Sequence, residues 1–253
     1  MLHQPMTYLR ALLLGATVCG AAMAAEDQAP NTLSAKEQAA GWRLLWDGKT
    51  SAGWRGARMT DFPQQGWGIK DGILTIHETG GKESVAIGDI ITREKFSDFE
   101  LQLDFKIAPG ANSGIKIFVD PEINKGKGSS IGPEFQILDD VRHPDAKLGS
   151  NGNRTIGSLY DLIAAPTDKK VNPVGEWNHA HIISKGMHVE FRLNGVKTVE
   201  FDRGTPAWRA LVAGSKYKVW PNFGELPAGH ILLQDHGNEV CYRNIKILGT
   251  PAK

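Results

Sequence analysis

The run Glu134-Phe135-Gln136-Ile137-Leu138-Asp139-Asp140 carries the residue types best suited to chemistry. Period-two alternation sends Phe135 and Ile137 toward a core and leaves Glu134 and Gln136 together on the opposite face. Two carboxylates on one strand are raw material for general acid and base work, once their surroundings separate their pKa values. Strict alternation places Asp140 beside Glu134, whereas a β-bulge brings Asp139 round instead, and spacing leaves both open. A C-terminal counterpart reads Gln234-Asp235-His236-Gly237, in which His236 is a candidate base or ligand. His143 lies on a long loop, and Asn112, Lys116, Arg154 and Tyr160 lie near strand ends, all within reach of a polar site.

Other residues offer weaker signals. His179 and His181 share one face of a strand, as zinc ligands can, but no third ligand stands at an informative spacing. Trp54, Trp67 and Trp220 could stack on sugar rings, although such residues more often fill a core. Cys241 stands alone once Cys19 is removed with the N-terminal segment, and its strand-like surroundings predict a buried, inert thiol. No phosphate-binding loop, dinucleotide fingerprint, HExxH or Gly-x-Ser-x-Gly elbow occurs. With 29 Lys and Arg against 28 Asp and Glu, there is no basic footprint for nucleic acid. A neutral polar ligand such as a carbohydrate fits this balance.

The elements that must position these residues are mostly strands. Phe99, Leu101, Leu103, Phe105 and Ile107 alternate with polar residues, as a half-buried strand requires. Residues 115–119, 189–193, 196–201, 229–234 and 240–248 read likewise. Asn194-Gly195 and Asp71-Gly72 mark hairpin turns. Helical text is scarce: Ser34 to Glu37 reads as a capping box, and Thr205-Pro206 opens a short helix with an apolar stripe of Trp208, Leu211 and Val212. Many short strands without βαβ alternation predict an antiparallel sandwich or jelly roll over residues 41–253 as one domain, after a tail at 25–40. Two long loops, Asp120 to Gly132 and Asp140 to Gly157, flank the Glu134 strand, where long loops commonly serve function. Arg10, the short apolar run Ala11 to Cys19 and Ala22-Met23-Ala24 read as an export signal over residues 1–24. The expected location is therefore periplasmic or secreted, with no integral membrane association after cleavage.

Several phrases in order resemble the 3-keto-disaccharide hydrolase domain family. They are Leu45-Trp46-Asp47-Gly48-Lys49-Thr50, Asn112-Ser113-Gly114-Ile115, Glu134-Phe135-Gln136-Ile137-Leu138-Asp139, Gly157-Ser158-Leu159-Tyr160, Gly175-Glu176-Trp177-Asn178 and Leu233-Gln234-Asp235-His236-Gly237. The resemblance implies a concanavalin A-like jelly roll of two antiparallel sheets and hydrolysis of glycosides already oxidised at C3. A ketone at C3 acidifies the C2 proton, so the implied route is proton abstraction, elimination and hydration. It needs a base, for which Glu134 or His236 stands, and a group for the leaving oxygen, Asp139 or His143. It also needs a donor to the keto oxygen: Lys116, Gln136 or Gln234. Asn112, Arg154 and Tyr160 complete the expected substrate contacts. No cofactor is required; a divalent metal held by Glu134, Asp139 and His236 would serve the same end. The strand is also similar to the Glu-x-Asp-x-x-Glu strand of laminarinase-like glycosidases. Here Gln136 lacks the middle charge, which points away from ordinary double displacement.

Overall fold

The alternating segments form two antiparallel sheets in a computed structural model that describes Met1 and residues 29–81, 88–123, 129–220 and 222–252. The expected export signal lies, apart from Met1, outside the described residues. One sheet has eight strands. Its order is β11 (Val196–Asp202), β10 (His188–Leu193), β9 (Asn178–Lys185), β6 (Phe99–Ile107), β13 (Val240–Leu248), β4 (Ile73–Ile76) and β3 (Trp67–Lys70), with β1 (Trp42–Leu44) also pairing with β13. The other has five, in the order β2 (Trp54–Gly56), β5 (Ile90–Thr92), β12 (His230–Leu233), β7 (Asn112–Val119) and β8 (Glu134–Leu138). Consecutive strands of the chain often lie in different sheets, which makes the fold a concanavalin A-like jelly roll rather than a meander.

Local chemistry explains the turns. Asp71 and Gly72 between β3 and β4 both take positive φ (51° and 73°), the backbone that a two-residue hairpin between right-twisted strands demands. Asn194 and Gly195 do the same between β10 and β11. The Ser34–Glu37 capping box opens α1 (Ala35–Ala39), and Thr205 caps α2 (Pro206–Ala213), which stops at Gly214. No helix among the described residues is long and apolar enough to cross a membrane.

One apolar layer fills the space between the sheets. Phe99, Leu101, Leu103, Phe105 and Ile107 of β6 all point into it, as alternation predicts. Phe135 and Ile137 meet them from the other sheet; the Phe135 ring lies 5.4 Å from Phe191 and edge-on to Phe105 at 6.4 Å. Truncating such a ring to Ala costs about 3–5 kcal/mol, so this layer pins β8 in register. Trp54 and Trp67 belong to the same layer and do not stack on ligands; Trp220 is half-buried against Tyr217. Cys241 is a buried free thiol, with Thr75 Oγ1 at 3.7 Å. Leu211 departs from the expected stripe of α2: Trp208 and Val212 are buried, while Leu211 is 40% exposed.

Candidate active site

β8 pairs on one side with β7, so that Glu134 faces Lys116, Gln136 faces Gly114 and Leu138 faces Asn112. Its other edge is covered by the segment that follows the long loop. Gly157 N–H donates to Gln136 O, Ser158 O accepts from Gln136 N–H, and Tyr160 N–H donates to Glu134 O at 3.0 Å. That pairing brings Tyr160 alongside Glu134. With Phe135 and Ile137 pointing inward, Glu134, Gln136, Lys116 and Asn112 share the outward face of the sheet. Gln234 joins them, because its N–H donates to Gly114 O across from β7. An outward face is normally wet, yet Glu134 and Lys116 are each only 4% exposed and Gln136 is fully buried. Loops roof this face and turn it into a buried polar site.

The central feature is an ion pair, with Lys116 Nζ 3.6 Å from Glu134 Oε2. Gly114 makes it possible: a Cβ at that position would lie 2.3 Å from Glu134 Oε1, so the carboxylate rests flat over a strand with no side chain. Gln136, with its amide nitrogen turned toward the carboxylate, donates to Glu134 Oε1 at 3.2 Å and to Ser113 O at 3.0 Å. Gln136 therefore holds Glu134 rather than facing a ligand. On the far side, Lys116 Nζ donates to Ser130 O at 3.1 Å and to Ser129 Oγ, which in turn donates to Asp89. Asp89 also accepts the N–H of Asp235 at 3.0 Å, tying Lys116 to the C-terminal turn before His236. Asp89 and Ser129 carry no motif; only the loop crossing over the sheet makes them part of the site.

The expected second carboxylate is engaged by the turn that follows β8. β8 ends at Leu138, and Asp139 folds back as a turn-forming group. It accepts the N–H of Gly110 at 2.8 Å, those of Val141 and Arg142, and the Arg142 guanidinium at 3.1 Å. Burial alone would raise this carboxyl, but these donors outweigh it and hold the pKa below its ordinary 3.8. Asp140 likewise accepts the N–H of Ile156 and pairs with Lys169 at 3.1 Å. Neither sits beside Glu134.

The histidines converge at the Asp139 end. His143 and His236 pack edge to face with ring centroids 5.9 Å apart. Burial, aided by the neighbouring His236, lowers the His143 pKa below 6.5 against the pull of Asp145 and Asp139. Its Nδ1 accepts the Asp145 N–H at 3.2 Å, so the neutral ring carries its proton on Nε2. The Asp145 carboxylate accepts the Tyr160 hydroxyl and the Arg154 guanidinium, both at 2.8 Å. Burial, then the charge of Glu134, raises the Tyr160 pKa, so the phenol stays protonated. A continuous chain of contacts thus runs from Glu134 through Tyr160, Asp145 and His143 to His236. Gln234 Oε1 and His236 Nδ1 are buried with no hydrogen-bond partner among the described residues.

Two expectations fail to converge. Among the described residues no three His, Cys, Asp or Glu side chains could hold a metal ion together, so Glu134, Asp139 and His236 do not form the anticipated ligand set. His179 and His181 lie on the eight-stranded sheet, paired with Asp104 at 2.8 Å and Glu100 at 3.2 Å.

A jelly roll with a roofed acid–amine pair on its smaller sheet defines the class. Residues 41–248 match the 3-keto-alpha-glucoside-1,2-lyase-like domain, and the chain belongs to that family. It is 36% identical over 237 residues to a 3-keto-disaccharide hydrolase of Bacteroides thetaiotaomicron, covering 86% of this chain and 81% of that protein. Two crystal structures from Parabacteroides distasonis, both provisionally described as glycosyl hydrolases, share the fold. One has 30% identity and a TM-score of 0.77, covering 88% of this chain and all of the other. The second has 29% identity and a TM-score of 0.60, covering 83% of this chain and 99% of the other.

Proposed function

We propose that this chain hydrolyses glycosides already oxidised to a ketone at C3, by elimination followed by hydration. The observation that carries the reading is the buried Glu134–Lys116 pair, an acid and an amine 3.6 Å apart on a roofed polar face. Glu134 takes the C2 proton made acidic by the ketone. Lys116 stabilises the negative charge that develops on the C3 oxygen, which a low-dielectric site makes worth more than in water. The enolate electrons then expel the substituent on C1, leaving a C1–C2 double bond conjugated with the ketone. His143 donates from Nε2 toward the departing oxygen. Water adds its hydroxyl to C1 and a proton returns to C2, so the sum is hydrolysis.

The descriptions of the relatives support this course, because a 1,2-lyase performs its first half and a hydrolase its sum. Gln234 Oε1 and His236 Nδ1 accept substrate hydroxyls. Asp139, with its oxygens engaged by backbone donors, takes no part in proton transfer, although the resemblance made it a candidate for the leaving group. The N-terminal residues 1–24 further support export, so the substrate is met outside the cytoplasm.

Incubation in D2O with 3-keto-trehalose, beside unoxidised trehalose, tests the chemistry. Glucose should appear from the ketone alone, with deuterium at C2 of the keto product above the enzyme-free control. Release without deuterium overturns elimination, and binding without release makes the chain a carbohydrate-binding module.

A further inference from the structure

An open cleft of about 770 Å3 lies between α2 and the segment 150–162. That volume falls within the roughly 300–1,000 Å3 of small-molecule sites. Leu162, Ala210 and Leu211 give it an aliphatic floor, while Arg154, Asp161 and Lys216 give it a polar rim. The exposure of Leu211, at odds with an ordinary amphipathic helix, has its reason here: it faces the cleft rather than the core.

The cleft adjoins the reaction centre through Tyr160. Its N–H donates to Glu134 O, and its ring lies beneath the Lys216 ammonium at 4.1 Å and near the Arg154 guanidinium at 5.2 Å. Lys216 feels the charges of both Glu134 and Lys116. Arg154 spends its donors on Asp145 and Asp161. Lys216 Nζ meets only aromatic rings, with no oxygen partner among the described residues, so it is the rim's spare donor. Arg154, Asp161 and Lys216 line the cleft, and Asp145, outside its lining, pairs with Arg154, so two cations meet two carboxylates. A balanced polar rim over an aliphatic floor suits a neutral, hydroxylated ring, not an anion.

We propose that this cleft holds the leaving-group half of the substrate, a neutral sugar ring. Its apolar face lies on Leu162, Ala210 and Leu211, and its hydroxyls meet Lys216 and Asp161. The inference rests on the function proposed above: cleavage at C1 needs a place on each side of the bond, and Lys216 lies over Tyr160, whose backbone meets Glu134.

The test fills the cleft. Ala210 is exposed, so Ala210→Trp projects an indole into the cleft without entering the core that Trp208 and Val212 build. Its kcat/KM for 3-keto-trehalose should fall about tenfold or more beyond any fall for methyl 3-keto-α-glucoside, whose leaving group is only methanol. Lys216→Met should shift the same ratio in the same direction. Equal losses on both substrates in both variants overturn the assignment. Ligand-observed NMR with free glucose gives an independent measurement that needs no turnover. A saturation-transfer signal in the wild type that Ala210→Trp abolishes supports the cleft, even if neither ketone is cleaved and the chemistry above falls. No wild-type signal, or one that survives the substitution, overturns it.

Discussion

Glu134 opens β8 and Asp139 follows its last residue, and both are buried carboxylates of the kind that sequence reading marks for acid–base work. Their surroundings separate them. Asp139 lies where the chain leaves the sheet, among free backbone N–H groups, and becomes the cap of a turn. Glu134 lies on the sheet face, opposite Lys116 of β7. There a lysine and a glutamine side chain meet it.

The sharpest way to break this contrast is Glu134→Gln. It keeps the shape and should lower kcat on a 3-keto-glycoside by about 10²–10⁴-fold, the ordinary worth of a positioned base. A variant within threefold of wild type would move the chemistry off β8. Lys116→Met comes next. Removing one partner of a buried pair weakens the compensation of the other charge, so denaturant unfolding should show a loss of about 3 kcal/mol together with lost turnover.

Asp139→Asn should behave in the opposite way. It should lose about 1–3 kcal/mol of stability through weakened hydrogen bonds while retaining most of its turnover. Because the folded pKa of Asp139 is held below 3.8, its contribution is complete above that value and is lost as pH falls through the lower, folded one. The stability gap between wild type and Asp139→Asn should therefore be full at neutral pH and close in acid. Collapse of kcat with unchanged stability would erase the distinction between the two carboxylates.

Much of this was readable in the chain. The strand alternation from Phe99 to Ile107, the Asp71-Gly72 and Asn194-Gly195 turns, and the helix caps at Ser34 and Thr205 all appear where local pattern placed them. So does the shared face of Glu134 and Gln136. Asp89, Ser129 and Lys216 were not legible, since each reaches the site from a loop or a helix end with no motif of its own. Leu211 misled because periodicity counts apolar residues without knowing that a cleft, not a core, lies opposite them.

Alternation and left-handed turn positions are properties of a few adjacent residues, and so the sequence alone determined the sheets, the hairpins and the side of the strand on which Glu134 lies. Tertiary structure alone decided that this side is roofed, that Lys116 is the partner of Glu134 and that Asp139 is engaged elsewhere. Burial and hydrogen-bond partners come from segments far apart in the chain, such as Asp89 and Asp235, separated by 146 residues. No local pattern encodes which of them will meet.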